Sequence, residues 1–116
     1  MAIVRVLYWK EIPTQVRVED ESGSISKILD DRFQQGVDAV AMFDGSNGTD
    51  AYLDSWEWGK EDEVMGNPQE IAKDVVDMYN IKFPRDFVER IRKLHRSGNR
   101  DASPGSIDKW MDDAVI

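Results

Sequence analysis

The 116-residue chain has no cysteine and a single histidine, His95. Without cysteine there is no disulfide framework, no thiol nucleophile and no thiolate-held zinc or iron–sulfur cluster. One histidine excludes a multi-histidine metal site and argues against a histidine-based catalytic triad. No metal and no cofactor is therefore expected. No stretch approaches the roughly twenty apolar residues of a membrane-spanning helix. The N-terminus also lacks the basic, then apolar, then small-residue order of a signal peptide. These two absences lead to the expectation of a cytoplasmic protein with no membrane partner.

The 41% hydrophobic and 33% charged content is that of one folded globular domain. The net charge of −8 is unevenly distributed. Residues 1–66 hold fourteen acidic side chains against six basic ones, whereas residues 67–116 hold nine of each. An acidic surface repels phosphate backbones, so nucleic acid is not an expected partner.

Residues 1–20 read as a β-hairpin. Residues 3–9 run up, residues 14–19 return with Val16 and Val18 alternating against Gln15, Arg17 and Glu19, and a proline-bearing turn joins them. Ser24 can cap a helix over residues 25–43, whose apolar positions Ile25, Ile28, Leu29, Phe33, Val37, Val40 and Ala41 form one stripe. Gly36 in its middle costs roughly 1 kcal/mol relative to alanine, which a close approach of helix to sheet would explain. Residues 44–49 form a loop that lacks the acidic spacing of a calcium loop and the strand–glycine–helix order of a phosphate loop.

A third strand is expected near residues 55–63, with Trp56 and Trp58 on one face. The burial a small domain needs favours the reading in which one or both finish the core beside Trp9. The alternative is an aromatic contact surface, since tryptophan is enriched at hot spots. Asn67-Pro68-Gln69-Glu70 starts a helix that ends near Asn80, and Pro84 opens another that Gly98 closes. Residues 82–100 carry seven basic against two acidic side chains, read as end-capping charge, with His95 exposed among them. Residues 99–105 read as a linker before a last short helix bearing Ile107, Trp110 and Met111. The expected organisation is one α+β domain over residues 1–98, followed by linker and short helix over 99–116. Its small antiparallel sheet, the hairpin plus a third strand, packs on the long helix, with further helices C-terminal to it.

The run Tyr8-Trp9-Lys10-Glu11-Ile12-Pro13-Thr14-Gln15-Val16, the later pair Arg32-Phe33, and Asp50-Ala51-Tyr52-Leu53 with Trp56 together resemble the signature of a small bacterial "virulence factor" domain family. The resemblance spans residues 3–80. A similar module occurs inside the larger conserved virulence factor C, after an iron–sulfur-scaffold-like domain and before helical repeats. The family carries no established reaction or catalytic residues. Its stand-alone members tend to be encoded near folate and corrinoid one-carbon enzymes, which implies a role assisting such a metabolic enzyme.

Two functions of different class are consistent with these residues. One is a non-catalytic accessory domain that binds a protein partner through the hairpin tip (Trp9, Lys10, Ile12, Pro13) and the segment bearing Tyr52, Trp56 and Trp58. The other is a small enzyme in which carboxylates such as Asp50 or Asp54, near Tyr52 and Arg32, perform acid–base chemistry. The want of convergent polar groups favours the first.

Overall fold

A computed structural model describes residues 1–114. β1 (Ala2–Trp9) is the central strand. On one side it pairs antiparallel with β2 (Ile12–Asp20), which pairs in turn with β3 (Gly23–Ile28). On the other side it pairs with two three-residue strands, β4 (Trp56–Trp58) and β5 (Asp62–Val64). Between β2 and the last strands come α1 (Asp31–Asp44) and the one-turn α2 (Asp50–Asp54). After β5 follow α3 (Pro68–Lys82), α4 (Phe87–Ser97) and a 3₁₀ helix (Asp108–Ala114). The fold is α+β, with a five-stranded antiparallel sheet.

The turn of the first hairpin is Lys10-Glu11, with Lys10 in the left-handed region at φ 50°. Pro13 is already in β2, opposite Tyr8, beside a bulge at Leu7/Tyr8. Thr14 fills that bulge, donating its hydroxyl to Leu7 O at 2.9 Å. Its carbonyl accepts from Leu29 N, which pins the start of the next segment.

The helix expected over residues 25–43 begins only at Asp31. Residues 23–28 are instead β3, with Ile25 opposite Val18 and Lys27 opposite Val16. Ile25, Ile28 and Leu29 fit a helical stripe by spacing, and as a strand the segment does not alternate cleanly, since Lys27 shares a face with Ile25 and Ile28 lies on the other. The free edge of β2, which tertiary pairing fills, overrode the helical period. The single third strand expected at 55–63 is split into β4 and β5 by Gly59-Lys60-Glu61, while Gly59 N still reaches Val6 O at 2.8 Å. Asn67 caps α3 as its sequence indicates, accepting from the backbone of Gln69 and Glu70.

The core lies on the face of the sheet that carries Val4, Val16 and Val18, under α3. At its far end Phe33, Phe83 and Phe87 meet with ring centroids 5.3 to 5.5 Å apart. A Cβ on Gly36 would lie 2.5 Å from the Phe87 ring, so the glycine serves the approach of α4 to α1, not of α1 to the sheet. Arg32 holds the same corner from outside, donating to the carbonyls of Asn80, Phe83 and Pro84.

The last segment docks on its own domain: Ile107 and Met111 are buried in the core and Trp110 packs against it. Residues 115 and 116 of the expected tail lie outside the described residues.

Phe33 is 1% exposed and shared by two aromatic neighbours. Phe33→Ala should cost about 3–5 kcal/mol in urea unfolding. An unchanged midpoint would show that this corner does not hold α1 and α4 together.

Candidate functional site

The hairpin tip is enclosed. Trp9, Glu11 and Ile12 have no exposed surface, and Pro13 is fully buried beside them. Glu11 points inward, where Arg100 meets it with two parallel bonds, Nε to Oε2 at 2.6 Å and Nη2 to Oε1 at 2.7 Å. Arg100 Nη1 also donates to Asp44 Oδ2 at 3.0 Å. Lys10 Nζ donates to that same oxygen and to Ser46 Oγ, each at 2.7 Å. Two cations thus face two carboxylates. Burial would raise the Asp44 carboxyl, but the hydrogen bonds from Lys10, Ser46 and Arg100 hold it low, at about 2.

The tip is therefore not the exposed contact surface that its sequence implies. Trp9 donates Nε1 to Tyr52 O at 2.8 Å, with its ring 5.7 Å from that of Tyr52. Lys10 is engaged by Asp44, and its amide donates to Ser55 O. The physical reason is coverage: α2, the loop after α1 and the segment after α4 all converge on the turn. The set suggested for acid–base work is also dispersed. Arg32 is a backbone clamp, the Tyr52 hydroxyl reaches Asp38 at 3.4 Å, and Asp50 and Asp54 are exposed.

The convergent polar groups lie elsewhere, in a cleft of about 460 Å³ on the core side of β1. Tyr8 of β1 and Tyr79 of α3 both donate to Asp108 Oδ2, at 2.6 and 2.9 Å, and their hydroxyl oxygens are 3.3 Å apart. Burial, reinforced by the charge of Asp108 and for Tyr8 by the neighbouring phenol, raises both phenols far above their ordinary range. They stay protonated, so phenolate chemistry is closed to them. Burial also raises the Asp108 carboxyl against the two phenol hydrogen bonds. Its Oδ1 is buried and has no hydrogen-bond partner among the described residues. The walls fit this cluster closely. A Cβ on Gly59 would come within 2.7 Å of the Tyr8 ring, and Gly105 takes φ 80° where it passes the Tyr8 hydroxyl.

The other face of the sheet is open. Register places Ile28, Gln15, Leu7 and Trp58 directly opposite one another across β3, β2, β1 and β4. Ile28 is 76% exposed and Trp58 39%, while Leu7 and Gln15 are half-buried. In the next row Arg5 and Arg17 lie opposite each other, a repulsive placement relieved by Glu19 and Glu61. Among the described residues no group of three or more His, Asp or Glu side chains is placed to hold a metal ion, and no helix is long and apolar enough to cross a membrane.

Against this geometry the sequence comparisons give one result. The family model described as "Virulence factor" matches residues 7–92. The chain belongs to this family. No match is found among curated proteins or among solved structures.

The match runs past residues 3–80 into α4 of this virulence-factor domain. Its signature run divides by strand parity: Tyr8 faces the cleft, while Trp9, Glu11, Ile12 and Pro13 build the closed tip. Arg100 and Asp108, which complete the ion cluster and the cleft, lie beyond the matched stretch. Neither was legible as a site residue. By sequence Arg100 belongs to a linker, and Asp108 to a last short helix whose apolar residues Ile107, Trp110 and Met111 attract the reading instead. The one available signal was Glu11, a carboxylate set among apolar residues.

Arg100→Met would leave Glu11 buried and unpaired, at a cost of about 3–5 kcal/mol in chemical unfolding. Adding Glu11→Leu should restore most of that loss. A chain ending at Gly98 should be destabilised at least as much. If it unfolds like the full chain, residues 99–114 are dispensable, as the linker reading implies.

Asp44 also sets a pH dependence. Its carboxyl is lowered on folding from 3.8 to about 2, so its contribution is complete above 3.8 and is lost as pH falls towards 2. Asp108 acts in the opposite sense: its raised carboxyl gives a contribution complete at low pH and lost as pH rises through its folded value. Denaturant titrations between about pH 5 and pH 2 should show stability falling in wild type and a flatter profile in Asp44→Asn. Equal slopes would remove Asp44 from the account.

Proposed function

We propose that this virulence-factor domain is a non-catalytic accessory module that binds a partner protein through the open face of its sheet. The observation that carries the reading is the cross-strand row Ile28–Gln15–Leu7–Trp58. It sets an aromatic and two aliphatic side chains in line across four strands, with Ile28 and Trp58 exposed. Exposed apolar side chains on an uncovered sheet face mark contact sites, here with Gln15 between Ile28 and Leu7, and tryptophan is among the residues most enriched at their centres. Trp56 and Trp58 stay in the contact set, joined by Leu7 and Ile28. Trp9, Ile12 and Pro13 support it from within, and Tyr52 braces Trp9. Arg5 and Arg17 give the surface a polar border beside the apolar row. The dispersal of Asp50, Asp54, Tyr52 and Arg32 weighs against the enzyme reading. The family's association with one-carbon enzymes makes such an enzyme the first partner to try.

Ile28→Lys with Trp58→Lys should leave the protein folded, with a modest loss of melting temperature from the buried part of the Trp58 ring, and should abolish retention of the protein that wild type captures on a column. If the double variant retains that protein undiminished, the open face is not the contact surface.

A further inference from the structure

The cleft on the core side of β1, which Trp58 also lines, carries a separate reading. We propose that it binds a cationic group on a hydrocarbon stem, an alkylguanidinium or alkylammonium. The argument begins with hydrogen-bond polarity. Both phenol protons at the floor are directed to Asp108 Oδ2, so what Tyr8 and Tyr79 present to an incoming group is oxygen lone pairs. Behind them the Asp108 carboxyl adds negative charge, its unpartnered Oδ1 being buried and closed to the incoming group. The floor therefore accepts hydrogen bonds and offers none.

Charge points the same way. Glu57 stands opposite Tyr8 and Asp62 opposite Val4, so both carboxylates share the face on which the cleft lies. Asp62 lines the cleft together with Tyr79 and Asp108. Against three carboxyls, the lining has one basic residue, Lys60, exposed on the lip. An anionic ligand would meet this field unfavourably, and a neutral one would leave it uncompensated.

Shape selects the stem. Val6 sits mid-strand on the packed face, yet it is only half-buried while Val4 and Tyr8 on either side are buried. The cleft opens above Val6, and its wall continues over the Tyr8 ring. A three- or four-carbon chain can lie along Val6 while its charged end reaches the phenol oxygens. Gly59 and Gly105 keep this path narrow and free of side chains. The same chemistry can arrive as a free small molecule or as an arginine or lysine side chain of a partner protein.

The full chain, isotopically labelled, is titrated with agmatine, with Nα-acetyl-arginine N-methylamide and with neutral n-butylurea, following the backbone amides of Val6, Gly59 and Gly105 by NMR. Both cations should give saturable shifts at these amides and butylurea none. Glu57→Gln with Asp62→Asn, both at exposed positions, should keep the amide spectrum of the folded protein and weaken both cations about fivefold, as modest surface ion pairs would. Tighter binding of agmatine supports a free small molecule, and tighter binding of the blocked arginine supports a partner-borne side chain. The proposal fails if neither cation gives a saturable shift, if butylurea shifts the same amides equally, or if the double variant binds as wild type does.

Discussion

The ion pair between Glu11 and Arg100 is the constraint on which the rest of the molecule depends. It joins the first turn of the chain to the segment after the last long helix, 89 residues away, inside a region from which water is excluded. A buried carboxylate at the tip of a hairpin is costly unless its partner arrives in good geometry, and the two parallel bonds of the guanidinium supply that geometry. The same arginine binds Asp44 at the end of α1, so one side chain fixes hairpin, helix and C-terminal segment together. Hydrophobic burial provides most of the driving force for such a fold, but it does not specify orientation. This cluster does, because moving any one of the three elements away would leave a buried charge unpaired.

The sequence was most legible where a local signal and the tertiary environment agreed. Asn67-Pro68 announces α3 by its own chemistry, and Gly98 closes α4 in the left-handed conformation a glycine favours. The hairpin is legible for the same reason, with β-branched residues on both arms. Where a local period and a free sheet edge disagree, the edge wins: residues 25–28 carry a helical stripe and no clean strand alternation, yet they pair with β2. The candidate sites were the least legible part. The tip looked exposed because a turn usually is, and nothing local records that α2 and residues 99–101 would cover it. The cleft needs Tyr8, Tyr79 and Asp108, three residues spread over a hundred positions, none remarkable in its own neighbourhood.

Both surfaces described above are built on the same two strands. Leu7 and Trp58 face the open side, while their neighbours Tyr8 and Glu57 face the cleft. Strand alternation alone produces this division. It places an apolar face and an acceptor-rich pocket back to back, separated by the thickness of the sheet, and both depend on the short pairing of β1 with β4. The aromatic signature Tyr8-Trp9 is thus not one feature but two, because adjacent residues of a strand answer to different environments.

The bulge at Thr14 has a consequence for how this chain can vary in length. The extra residue in β2 is what allows the hairpin to close in two residues, with Trp9 opposite Ile12, while Val6 stays opposite Val16. Removing one residue between Trp9 and Gln15, or adding one, would rotate the turn relative to the core and carry the Glu11 carboxylate away from its arginine. That stretch is locked to its residue count. The interruption between β4 and β5 is not: Lys60 and Glu61 are exposed and lie outside both pairings, so extra residues there leave every register intact. Length variation in this architecture should therefore concentrate at the far edge of the sheet, at the mouth of the cleft, where it would resize the pocket without disturbing the fold.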